Sequence, residues 1–327
     1  MKITEYIQLS DHPFISFEII PPKRGGNLKQ LIKLIKALKK FNPPFIDVTS
    51  HASEVVYEEN PIGIKKKTIR KRPGTLGVCA LIQHKFRIEA VPHILCHGFT
   101  QEETEDFLID VRYLEIENLL ALQGDERGFE KPLEFNRSRN LYANELVAQI
   151  ARLNQGIYLS EFSDETPTDF CIGVAGYPEK HFESPNLQLD IQFTKAKIDA
   201  GAHYIVTQLF YDNHHFFNYV QLCRQAGITV PIIPGLKIIF RKRQLHSIPR
   251  FFHVDIPQEL VEQVLSCDSD DEVAEVGIRW AVQQIKDLVD FGVPGIHFYV
   301  LEDPTYVQRV LGAVQEAGFA VNPPLHS

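Results

Sequence analysis

One glutamate sits where a carboxylate is expensive. Glu18 interrupts the apolar run Phe14-Ile15-Ser16-Phe17-Glu18-Ile19-Ile20. A carboxyl group so placed is desolvated, which raises its pKa and suits it to hold and deliver a proton as a general acid. The same setting accommodates a buried ion pair with a lysine of the same core, and the residues leave both readings open. Pro21-Pro22 then fix a rigid, extended exit from the run. Asp125 follows the run Asn118–Gln123 in Leu122-Gln123-Gly124-Asp125. Gly124 there lets a ligand approach the backbone, although an Asx turn explains the same residues. Thr207 and Gln208 end the run Tyr204–Leu209. A buried amide at that point needs a hydrogen-bonding partner from a ligand or from neighbouring backbone.

The other polar clusters are less specific. His93 and His97 straddle the end of an expected strand, where a spacing of four does not bring two side chains together, and no HExxH occurs, so no metal site is expected. Lys65–Arg72 holds six basic residues in eight with no interleaved aromatics, and Pro73 follows. It reads as the solvated lead-in to a helix rather than a base-stacking surface. Asp268–Glu272 is an acidic run at a helix start, as the macrodipole favours. Lys237 and Arg241–Arg243 follow the expected strand Thr229–Ile233 and are the better candidates for an anionic ligand group.

Positioning these residues requires a repeating frame, and the chain supplies one. Expected strands are Phe14–Ile20, Phe45–Thr49, Ile88–Leu95, Asn118–Gln123, Phe170–Ala175, Tyr204–Leu209, Thr229–Ile233 and Gly295–Val300. Between them lie amphipathic stretches: Asn27–Lys40, a segment around Gly74–Lys85, Gln101–Tyr113, Leu141–Leu153, Asn186–Ala200, His214–Gln225 and Asp271–Phe291. Gly201, Gly227 and Gly292 each stop a helix just before a strand. Eight strands alternating with helices over 327 residues predict a single-domain α/β protein with the (β/α)8 TIM-barrel fold. An open doubly wound sheet would carry GxGxxG after its first strand, and neither that motif nor a P-loop occurs. Catalysis in a barrel belongs at the C-terminal ends of the strands, where Glu18, Asp125 and Gln208 all fall.

Composition agrees. Hydrophobic residues make up 44% and charged residues 23%, and the net charge of −8 argues against a general nucleic-acid binder. Five cysteines without a CxxC pair point to buried thiols in a reducing compartment. With no signal-like or membrane-spanning apolar run, a cytoplasmic protein with no membrane partner is expected.

Nine short motifs in order resemble the methylenetetrahydrofolate reductase family, from about Phe14 to Leu301. They are Phe17-Glu18-Ile19-Ile20-Pro21-Pro22-Lys23, Asp47-Val48-Thr49, Pro92-His93, Leu122-Gln123-Gly124-Asp125, Ala175-Gly176-Tyr177-Pro178-Glu179-Lys180-His181, Asp199-Ala200-Gly201-Ala202, Thr207-Gln208-Leu209-Phe210-Tyr211-Asp212, Pro234-Gly235 and His297-Phe298-Tyr299. The resemblance implies a barrel over 1–327 holding FAD noncovalently, without a C-terminal regulatory domain and hence without response to S-adenosylmethionine. It implies ping-pong hydride transfer from NADH or NADPH, through the flavin, to 5,10-methylenetetrahydrofolate for methionine synthesis. It also implies a homo-oligomer.

Carried over residue by residue, Glu18 is the general acid that assists opening of the folate ring, and Asp125 contacts the pterin and tunes the flavin. Gln208, Gln244 and Thr49 contact folate or nicotinamide. Ala52, His93, Gly124, Tyr142, Ala175, Tyr177, His181, Asp190 and Lys197 match flavin-contacting positions, with Lys197 at the pyrophosphate. Three positions depart from the family pattern: Gln123 where an arginine is frequent, Phe193 where an asparagine is frequent, and Glu302-Asp303 where an Asn-Arg pair helps hold folate. The last leaves the folate glutamate tail to the Lys237/Arg241–Arg243 cluster as an expectation. Two other readings share the frame: a second FAD-dependent barrel oxidoreductase of the proline-dehydrogenase type, and a non-catalytic subunit or metal-dependent hydrolase.

Overall fold

A computed structural model of the chain describes residues 1–124, 137–161 and 165–323; Asp125 lies outside the described residues. In chain order the elements are α1 (Ile3–Leu9), β1 (Phe14–Ile19), α2 (Leu28–Lys39), β2 (Phe45–Val48), β3 (Glu54–Asn60), β4 (Gly63–Ile69) and α3 (Thr75–Ala80). A π-type segment, Leu81–Phe86, continues α3 and leads to β5 (Glu89–Leu95), α4 (Gln101–Tyr113), β6 (Asn118–Leu122), α5 (Ala143–Leu153) and β7 (Cys171–Gly176). Then come α6 (Leu187–Asp199), β8 (Tyr204–Leu209), α7 (Asn213–Gln225), β9 (Ile232–Leu236), α8 (Gln244–Phe252), α9 (Gln258–Ser266), α10 (Asp270–Phe291), β10 (Gly295–Leu301) and α11 (Thr305–Glu316).

Eight strands close a barrel in the order β1-β10-β9-β8-β7-β6-β5-β2, with parallel pairing throughout. The expected (β/α)8 fold is therefore what the chain adopts. Asn27, Asn186 and Ser269 cap α2, α6 and α10 with side-chain oxygens that accept from backbone N–H groups of the first turn. Apolar faces of α2, α4, α5, α7 and α10 then cover the outside of the barrel, where Leu38, Leu108, Ile150, Phe216 and Leu288 are fully buried. Inside, Phe14, Phe45, Leu120 and Tyr204 fill one end of the barrel, and Ile3, Tyr6 and Ile7 of α1 close that end. The opposite end, at the C-terminal tips of the strands, is where the polar side chains converge.

Two expectations need correction. Lys65–Arg72 is not a helix lead-in: its first residues form β4, which pairs antiparallel with β3 in a hairpin separate from the barrel. Lys67 and Lys71 reach Glu58 and Glu54. Turn chemistry at Asn60-Pro61-Ile62-Gly63 was the available signal, and the Asn60 side chain accepts from the Ile62 N–H at 3.0 Å. The expected strand Thr229–Ile233 begins three residues later, after Pro231, and runs through Pro234-Gly235 to Leu236. Those two residues look like a strand end, yet the barrel needs glycine there. A Cβ on Gly235 would lie 2.2 Å from the Thr207 carbonyl oxygen and 2.6 Å from the Tyr299 ring. Helices α1, α8, α9 and α11 carried no expectation; α1, α8 and α9 run only seven to nine residues, and tertiary burial rather than a long periodic pattern stabilises segments that short.

Candidate active site

Adjacent strands β1 and β2 place Glu18 opposite Asp47, and β1 with β10 places Glu18 opposite Tyr299. From β5, His93 reaches into the same space, its Nε2 lying 3.6 Å from Glu18 Oε2 and 3.4 Å from Asp47 Oδ2. All three side chains are buried. Burial raises the Glu18 carboxyl from 4.5 to about 7, while His93 and Lys237 pull it down and Asp47 pushes it further up. Burial also holds the Asp47 carboxyl well above its ordinary range and lowers the His93 imidazole. Burial thus favours the protonated carboxyl at Asp47 and the neutral imidazole at His93, and Glu18, at about 7, is poised near half-ionisation at neutral pH. Neither Asp47 oxygen nor His93 Nε2 has a hydrogen-bond partner among the described residues. Buried polar atoms in that condition mark a place where a bound molecule has something to complete.

Lys237, the first residue after β9, turns its amine back over the barrel mouth and donates to the Tyr299 carbonyl at 3.3 Å. Burial lowers this amine to about 8, partly offset by Glu18. Sequence reasoning grouped Lys237 with Arg241–Arg243, but the fold separates it from them and gives it to the glutamate. Tyr299 donates to the Thr207 carbonyl at 2.6 Å, and Thr207 Oγ1 accepts from the Gly235 N–H at 3.0 Å. Gln208 sits at the tip of β8 with its Oε1 accepting from the Leu209 N–H. Thr49, just past β2, contacts His51 Nε2 through its hydroxyl at 3.1 Å.

A second group forms beside this one, where β7 meets α6. Lys197 donates to the Ala175 carbonyl at 2.5 Å and lies 5.8 Å from the Tyr177 ring centre. Tyr177 in turn meets His181 edge-on at 4.6 Å. Asp190, one helical face with Lys197, accepts from Ser184 through one oxygen, while its buried Oδ2 has no hydrogen-bond partner among the described residues. Burial lowers the Lys197 amine to about 8 against the opposing pull of Asp190. Gln123 reaches the same rim and donates to Glu183 at 3.4 Å. Five residues expected together, Ala175, Tyr177, His181, Asp190 and Lys197, thus meet in one place.

The remaining expected residues are more scattered. Gly124 follows β6 at φ 87°, in the left-handed region. Ala52 lies half-buried before the hairpin, and Tyr142 is an exposed residue at the start of α5. Phe193, also exposed, stands on α6 beside the Asp190–Lys197 face. Gln244 opens α8, its Oε1 accepting from the Phe240 N–H at 2.8 Å. Sequence reading has Asp47 only within a motif and does not separate Lys237 from Arg241–Arg243. A carboxylate within the short apolar run Phe45-Ile46-Asp47-Val48 was the signal that could have found the first.

A family model described as methylenetetrahydrofolate reductase matches residues 2–315. The chain belongs to that family. Among curated relatives, methylenetetrahydrofolate reductase 1 of Schizosaccharomyces pombe is 30% identical over 300 residues, covering 90% of this chain and 45% of its own. The 5,10-methylenetetrahydrofolate reductase of Escherichia coli is 29% identical over 289 residues, covering 88% of this chain and 86% of its own. This reductase-family chain therefore spans under half the length of the yeast relative and most of the bacterial one. Among solved structures, an uncharacterised Clostridium thermocellum protein that binds two copies of 5-methyl-5,6,7,8-tetrahydrofolic acid superposes with a TM-score of 0.58 at 13% identity, covering 96% of this chain and 98% of that one. At that identity the likeness is one of fold. Among the described residues of this family member, no group of three or more His, Cys, Asp or Glu side chains could hold a metal ion. No described helix is long and apolar enough to cross a membrane.

Proposed function

We propose that this chain reduces 5,10-methylenetetrahydrofolate to 5-methyltetrahydrofolate, taking hydride from NADH or NADPH by way of FAD. The observation that carries the reading is Glu18. A buried carboxyl at the barrel mouth, raised to about 7 by burial, still carries its proton in about half of the molecules at neutral pH and can release it to a substrate nitrogen. Opening the folate imidazolidine ring to an iminium needs such an acid.

The chain's own residues fit the flavin. Asp190 presents a buried oxygen without a partner among the described residues, and Lys197 supplies the cation, a point charge suited to a pyrophosphate. Tyr177, His181 and the Ala175 backbone complete that wall, and Gly124 and His93 approach from the neighbouring strands. When bound there, FAD would accept hydride from the nicotinamide and pass it to the folate carbon. Around it, His93 and Asp47 keep water from Glu18 and hold its carboxyl in the barrel mouth. Lys237 stabilises the carboxylate that Glu18 becomes on giving up its proton. Gln208 and Thr49 offer polar atoms at the rim to orient folate and nicotinamide, and Asp125 is assigned to the pterin by resemblance.

The test is an absorption spectrum of purified protein after FAD loading, followed by anaerobic NADH or NADPH and then methylenetetrahydrofolate. The flavin band should bleach with the nicotinamide and return with the folate. Bleaching without return would leave a flavin oxidoreductase with another acceptor and overturn the folate assignment. Failure to bind FAD would overturn the reading altogether.

A further inference from the structure

Beyond β9 the chain leaves the barrel mouth at Lys237 and reaches α8 within seven residues. Phe240 stacks on Tyr306 with ring centres 4.2 Å apart and planes 13° from parallel. The Arg241 guanidinium lies 5.4 Å from the centre of the same Phe240 ring and 3.8 Å from Asp270. Lys242 points elsewhere, donating to the Leu265 carbonyl at 3.1 Å. Arg243 makes no ion pair among the described residues. Phe240, Arg241, Arg243, Gln244 and Ser247 line a cavity of about 400 Å³.

The donors of that lining outnumber its acceptors. Two guanidinium groups, the Ser247 hydroxyl and the Gln244 amide face it, and Gln244 is only 8% exposed. The Gln244 carbonyl is already committed to the Phe240 N–H, and its Nε2 has no acceptor among the described residues. An amide N–H donor beside two guanidinium groups is a donor set suited to a carboxylate. The start of α8 adds the positive end of a nine-residue helix to the same place. Cα atoms at most ~3.8 Å apart keep Arg241 and Arg243 within about 15 and 23 Å of Lys237 along the chain. An elongated molecule with its reacting end under Glu18 can therefore set its far end here.

We infer that this cavity binds the glutamyl carboxylates at the tail of the folate substrate, with the Phe240–Tyr306 stack as its apolar floor. The inference rests on the folate reading above. It gives the tail to Arg241, Arg243 and Gln244, and it withdraws Lys237, which serves the barrel mouth. The basic hairpin β3–β4 is the competing cationic surface. Lys65, Lys66 and Arg70 make no ion pair among the described residues, and they stand exposed on a two-stranded hairpin separate from the barrel.

Calorimetric titration of the FAD-loaded protein with 5-methyltetrahydrofolate in its mono- and triglutamyl forms tests the assignment. The R241Q/R243Q double variant should bind the triglutamate at least about tenfold more weakly, with a smaller loss for the monoglutamate and a flatter dependence on salt. The hairpin control K66E/R70E should bind both as the parent does, and thermal melts should show both variants folded. Unchanged triglutamate affinity in R241Q/R243Q would overturn the inference, as would an equal loss in the hairpin control. Weakened NADPH binding with intact folate binding would reassign the cavity to a nucleotide phosphate. A parent protein that binds neither folate would fail at the earlier step, the choice of substrate.

Discussion

Replacing Glu18 by glutamine should make the protein's stability less sensitive to alkali. In the folded state the Glu18 carboxyl titrates at about 7, against 4.5 for the unhindered group, because burial disfavours its charge. The folded chain therefore binds this proton more tightly than the unfolded chain does. Below pH 4.5 both states are protonated and the group costs nothing. As pH climbs from 4.5 toward 7, the unfolded state releases the proton first, and stability drains at up to about 1.4 kcal/mol per pH unit. Above pH 7 both states are ionised and the loss levels off at about 3 kcal/mol. Glutamine keeps the shape and the hydrogen-bonding capacity but has no proton to lose. Urea denaturation of parent and E18Q at intervals from pH 4 to 9 measures the difference, which includes what the loss of Glu18 does to the titration of its neighbours His93 and Lys237. E18Q should gain about 3 kcal/mol on the parent across the window, nearly all of it between pH 4.5 and 7. A difference that stays flat with pH would show that Glu18 is not held protonated by burial. The general-acid role would lose its physical basis with it.

Two further outcomes test the frame that carries the site. Asn322 is buried after α11, accepting from the Ile15 N–H at 2.7 Å and donating to the Ile15 and Phe41 carbonyls at 2.9 and 2.7 Å. N322A strands three backbone groups beside β1 and should cost about 3 kcal/mol in urea denaturation, with a loss below 1 kcal/mol counting against the clamp. Gly277 on α10 meets the turn after β9 so closely that a Cβ would fall 1.8 Å from the Ile239 carbonyl oxygen. G277A should lose about 2 kcal/mol or more, whereas G312A on α11, with open space around it, should gain up to about 1 kcal/mol; matching effects in the two melts would refute the contact.

Much of the architecture was legible because its signals are local. Alternation of short apolar runs with amphipathic stretches, glycine at the helix ends and the absence of a phosphate-binding loop predict a parallel barrel before any contact is known. Glu18 was legible for the same reason: a carboxylate within a wholly apolar strand must be desolvated wherever that strand goes. The grouping of Ala175, Tyr177, His181, Asp190 and Lys197 came through resemblance, and the geometry of β7 and α6 brings them together. What the linear order did not contain was who faces whom. Lys237 stands four residues from Arg241 yet donates to the Tyr299 carbonyl beside Glu18, while Arg241 lines a cavity with Phe240 and Arg243. Asp47, His93 and Glu18 are separated by dozens of residues, and closing the barrel is what puts the His93 ring within 4 Å of both carboxyls. Proton affinities in that cluster depend on mutual distance and on the loss of water, and both are properties of the closed sheet. Residue type decided which chemistry was available to this chain, and barrel closure decided which carboxyl keeps its proton.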